Sequence, residues 1–106
     1  MQFNIQMNNQ YNMMENIPNY NKPIVTSSNN FSVKEIEELK NIIVKAVSKY
    51  DDYGDIAQSI EEDCEKLCDG IWIVVVGVRD KTNSYGRRIK SLGVNIAQYK
   101  IIILLN

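Results

Sequence analysis

Histidine is absent from all 106 residues. The commonest general base and metal ligand is therefore missing, which excludes His-based catalytic triads and His-containing zinc sites. Cysteine occurs only at Cys64 and Cys68, too few for a secreted disulfide scaffold and spaced to fall one turn apart on a helix face. A reducing, cytoplasmic setting is expected. Long apolar runs are also lacking: residues 71–76 and 101–105 are the longest, far short of the ~20 residues of a membrane-spanning helix. The first residues carry neither a basic n-region nor an apolar h-region, so no targeting segment is expected. An excess of positive charge is missing too, since 12 basic residues meet 13 acidic ones for a net charge of -1. Without counterion release to drive binding, neither nucleic acid nor an anionic membrane is expected as a partner.

What is present is unevenly distributed. Residues 1–30 hold nine of the thirteen Asn, all four Met, both Pro and only two charges, Glu15 and Lys22. Phe3, Ile5, Tyr11 and Ile17 follow neither helical nor strand spacing, so residues 1–21 read as a disordered Asn-rich extension and residues 22–106 as one domain. A domain this small gains only about 3 to 5 kcal/mol from a single core, which makes oligomerisation an expectation. Pro23 followed by Ile24, Val25 and Thr26 predicts a short strand at a sheet edge.

Ser32 and Glu35 form an S-x-x-E capping box, with Phe31 and Ile36 at the flanking staple positions. From there Ile36, Leu39, Ile43, Ala46 and Tyr50 recur at three- and four-residue steps, predicting an amphipathic helix. Either Asp51 or Asp52 can cap a second helix, whose apolar stripe is Ile56, Ile60, Cys64 and Leu67 and whose stop is assigned to Asp69-Gly70. After Gly70 the period changes. Residues 71–76 are continuously β-favouring and read as a strand covered on both faces, residues 84–89 as a polar strand, and residues 92–97 and 101–105 as further strands. Strand, helix, helix and then about four strands define an α+β fold: two antiparallel helices packed on an antiparallel sheet of four to five strands.

No residue pattern carries catalysis. Cys64 and Cys68 have no imidazole or further thiol to complete a metal site and read as small core residues. The carboxylates of Glu61, Glu62, Asp63, Glu65 and Asp69 read as a solvated helix face, and Gly77, Gly86 and Gly93 as bulges or close backbone contacts. No cofactor is expected. An enzyme using Cys64 or the acidic helix is the weakest of the functional readings. The anomaly is the segment Asn83, Ser84, Tyr85, Gly86, Arg87, Arg88 and Ile89, polar on nearly every residue yet set between two apolar strands. Such a strand is an edge left open for a partner's main chain, or an arm that pairs with another subunit. Arg87 and Arg88, with Arg79 and Lys90 near them in sequence, either grip an acidic ligand or guard a strand edge.

The ordered set Lys49-Tyr50, Asp55-Ile56-Ala57, Ile60, Trp72, Val76-Gly77, Ser84-Tyr85 and Ile103-Leu104-Leu105 resembles the smallest class of cytoplasmic and axonemal dynein light chains. The resemblance covers roughly residues 23–106, with about two extra residues before Ser84. It implies a dimer in which one strand of each subunit crosses to complete the other's sheet. It also implies two grooves that take extended segments of disordered partners, such as dynein intermediate chain, as an added strand. On it rest the roles of Ser84 and Tyr85 in the exchanged strand and groove, and of Trp72 and Gly77 as core anchors. Cytoplasm and cytoskeleton are the implied locations, with a microtubule motor or a cilium as the setting. Pairing with a paralogous light chain in an axonemal outer arm is the implied alternative to a homodimer. Ile73, Arg87-Arg88, Asn95, Ala97 and Gly54 depart from the family's pattern, which implies a retained scaffold with a rebuilt peptide pocket.

Overall fold

The computed structural model describes residues 21–81 and 90–106. The Asn-rich extension expected over residues 1–21, Asn21 apart, and the polar strand expected over residues 84–89 lie outside the described residues. Elements run in the order β1 (Ile24–Asn29), α1 (Val33–Lys49), α2 (Tyr53–Glu65), β2 (Trp72–Val78), β3 (Lys90–Ile96) and β4 (Tyr99–Leu105). The four strands form one antiparallel sheet in the order β1-β3-β4-β2. With two helices it makes the expected α+β fold.

Helix α1 starts where its box dictates. Ser32 Oγ accepts from the Glu35 N–H at 3.1 Å while Glu35 Oε1 accepts from the Ser32 N–H at 2.8 Å, satisfying two donors that the first turn leaves free. Leu39, Ile43 and Ala46 form its buried stripe. Of the two candidate aspartates, Asp52 caps α2, accepting from the Asp55 N–H at 3.2 Å. Ile56, Ile60 and Cys64 are buried.

Three expectations change here. Helix α2 ends at Glu65 and not at Asp69-Gly70, because Lys66 N–H turns to the Asp63 carbonyl and Leu67 N–H to the Cys64 carbonyl, tightening the last turn. Leu67 and Cys68 therefore leave the helix and are exposed, so Cys68 is not a core residue. The apolar run from Ile71 is not covered on both faces. It becomes a sheet edge, with Ile71 outside the strand at 64% exposure and Val75 at 39%.

Register explains which side is covered. Trp72, Val74 and Val76 pair with Leu105, Ile103 and Ile101, and these in turn with Lys90, Leu92 and Val94. Paired residues project to the same face. Leu92, Val94, Ile101, Ile103 and Leu105 join Leu39, Ile43, Ile56 and Ile60 in the core between sheet and helices. The opposite face carries Ile73, Val75, Ile102 and Leu104, with Gly93 and Asn95 on β3. There a Cβ at Gly93 would lie 2.7 Å from the Ser27 hydroxyl, beside the bulge that shifts register between Val25 and Ser27.

Candidate functional site

Among the described residues no strand pairs with the outer edge of β2. That edge is the candidate site. An unpaired strand edge offers main-chain donors and acceptors to an incoming strand whatever its side chains. The side chains near it are apolar and partly open: Ile73 is half-buried, Val75 and Val78 are exposed, and Ile71 extends the patch beyond the strand. The predicted anchors both lie on β2. Trp72 is buried, its indole N–H donating to the Cys68 carbonyl at 3.1 Å and its ring stacked on Phe31 at 6.2 Å. Gly77 is buried near the far end of the strand.

Past Val78 the chain folds toward the β3–β4 turn. Arg79 N–H donates to the Gln98 carbonyl at 2.9 Å, and an Arg79 guanidinium N–H donates to the Ala97 carbonyl, also at 2.9 Å. Asp80, with φ 64°, accepts from the Asn95 side-chain amide at 2.8 Å. These bonds fix the exit from β2. Asn83, Ser84, Tyr85, Gly86, Arg87 and Arg88 all lie outside the described residues.

Of the basic group read around Arg87-Arg88, Arg79 and Lys90 are among the described residues. Arg79 is held by the β3–β4 turn, and Lys90 donates to Glu35 at 2.8 Å with its ammonium 5.6 Å from the centre of the Phe31 ring. Neither is free to grip a ligand. Sequence reasoning missed the Asp80–Asn95 link, although a buried Asn alternating with Val94 and Ile96 is the kind of residue that needs a polar partner. The Asn95 side-chain oxygen, Oδ1, is buried without a hydrogen-bond partner among the described residues.

The thiol and carboxylates offer little chemistry. Burial, and then the neighbouring charge of Asp63, pushes the Cys64 thiol up to about 12, so it stays protonated and poorly nucleophilic. Asp63 is bridged by Lys45 at 3.5 Å and Lys66 at 3.6 Å. Among the described residues no group of three or more Cys, Asp or Glu side chains is placed to hold a metal ion, and no helix is long and apolar enough to cross a membrane. No protein-family model and no curated protein matches this chain.

Proposed function

We propose that this chain is a non-catalytic light chain of a dynein motor complex. It acts as a dimeric hub that binds extended segments of disordered partners, such as dynein intermediate chain, by strand addition. The observation that carries the reading is the edge of β2, which no strand among the described residues pairs, flanked by partly open apolar residues and followed directly in sequence by the segment holding Ser84 and Tyr85. The resemblance supplies the motor; the edge supplies a physical means of strand addition, by a second copy or by a partner's segment. Two strand-addition sites on one rigid dimer raise avidity by about 10²-fold or more when both engage. A Cys64 thiol held protonated in the core favours binding over covalent catalysis.

Affinity purification of the tagged protein from its native cell, with mass spectrometry of what accompanies it, tests the reading. Dynein heavy and intermediate chains should co-purify in near-stoichiometric amount. Their absence from a preparation in which the protein is folded would overturn the assignment.

A further inference from the structure

A second feature lies apart from the β2 edge, where the first turn of α1 faces the chain that leaves α2. There Phe31, Leu39, Leu67 and Trp72 line a cleft of about 100 Å³, with Glu35 and Glu38 at its rim. The two aromatic rings lie nearly parallel, 11° apart, and the indole N–H is already satisfied by the Cys68 carbonyl. The indole N–H is therefore not left to donate into the cleft. Glu35 is engaged by Ser32 and Lys90. Glu38 is exposed and makes no ion pair with any described residue.

We infer that this cleft receives a lysine or arginine side chain from a protein partner. Its size is below the roughly 300 to 1,000 Å³ of small-molecule sites and suits one side chain. Its chemistry asks for an apolar stem to lie along the exposed Leu67 and a cationic head to meet Glu38 beside the aromatic pair. Lys90 already meets the charge of Glu35, so the unpaired charge at the cleft is that of Glu38, which favours a cation over an anion or a neutral group. The same fold already shows the arrangement once: the Lys90 ammonium sits between a Glu35 oxygen at 2.8 Å and the Phe31 ring at 5.6 Å. Glu38 and Trp72 line the cleft beside that group, and the cation for Glu38 is left to be supplied from outside. This inference does not rest on strand addition at β2.

Trp72 is the chain's single tryptophan, so its fluorescence reports on the cleft without labelling. The full chain would be titrated with N-acetylarginine methylamide and N-acetyl-lysine methylamide, and with N-acetylnorleucine methylamide as an uncharged control. Amide shifts of Leu67 and Cys68 would locate the binding by NMR. Saturable changes at millimolar concentration are expected for the two cations, about three- to fivefold weaker in Glu38→Gln and weaker in salt. Norleucine binding as tightly as arginine would show a merely apolar cleft and overturn the proposal. So would unchanged affinity in Glu38→Gln, or no saturable change with either cation.

Discussion

Glu35 and Lys90, 55 residues apart in the chain, meet at 2.8 Å and tie the first turn of α1 to the start of β3. Glu35 thereby serves two neighbours, capping the Ser32 N–H with one oxygen and taking the Lys90 ammonium with the other. The hydrogen bond from Lys90, and then that from the Ser32 backbone, hold its carboxyl below the ordinary value of 4.5. A carboxyl lowered in the folded state stabilises the fold above its unfolded value and ceases to do so as pH falls through its folded value. Stability should therefore decline as pH is lowered from about 6 to about 3. Glu35→Gln keeps an acceptor for Ser32 but loses the charge, so its thermal midpoint should change less over that range than the wild type's. Equal acid sensitivity of the two proteins would assign the decline to other carboxylates.

Gly70 separates α2 from β2 with φ 143°, a region open to glycine and strained for other residues, and a Cβ there would lie 2.7 Å from Leu105 Cδ1. Gly70→Ala should cost about 1 to 3 kcal/mol in urea denaturation. Gly93→Ala meets only the rotatable Ser27 hydroxyl at that distance. It should cost less.

The two cysteines should part company chemically. Cys64 is fully buried with its thiol pushed up to about 12, whereas Cys68 is exposed. Under native conditions a maleimide should add once, at Cys68, and a second adduct should appear only on unfolding. Rapid double labelling of the native protein would contradict the packing of α2.

Trp72 closes the core at the end where β2 begins. Trp72→Ala removes its stacking on Phe31 and leaves a cavity beneath Leu105, and should cost about 3 to 5 kcal/mol. Trp72→Phe keeps much of the apolar volume but leaves the Cys68 carbonyl without its indole donor, and should cost about 1 to 3 kcal/mol. Denaturant midpoints for the pair separate bulk from hydrogen bonding.

How far these features are legible in the sequence depends on the range of the contact that decides each one. Ser32 with Glu35, and Asp52 with Asp55, are local, and local chemistry places both helix starts. The end of α2 is local too, but Gly70 misleads: it turns the chain back to the sheet, while the helix closes four residues earlier at Lys66. Strand β2 reads as apolar, yet whether its second face is covered depends on sheet order, which no run of Ile and Val encodes. Lys90 on Glu35 and Asn95 on Asp80 span 55 and 15 residues and leave no periodic trace. The cleft escaped notice for the same reason, since its walls come from α1, the chain after α2, and β2.

The edge of β2, unpaired among the described residues, leads to the prediction that bears most directly on assembly. Val75 lies in the middle of that strand, on the face away from the helices, and is 39% exposed, with Ile73 half-buried beside it on the same face. Ile102 and Leu104 pair with these residues across β4 and are themselves buried, so the apolar character of this face is continuous. If a second copy lays a strand along β2, Val75 becomes part of the contact and its exposure disappears. A charge there would then be buried without a partner, which is costly at an interface and nearly neutral on a free surface. Sedimentation of the wild type at micromolar concentration should therefore give twice the 12.2 kDa monomer mass. Val75→Lys should shift the protein to monomer, with circular dichroism showing both helices and sheet retained. A wild type that sediments as a clean monomer would count against the homodimer and turn the search to a paralogous partner. A Val75→Lys protein that remains fully dimeric would place the subunit contact elsewhere than on β2.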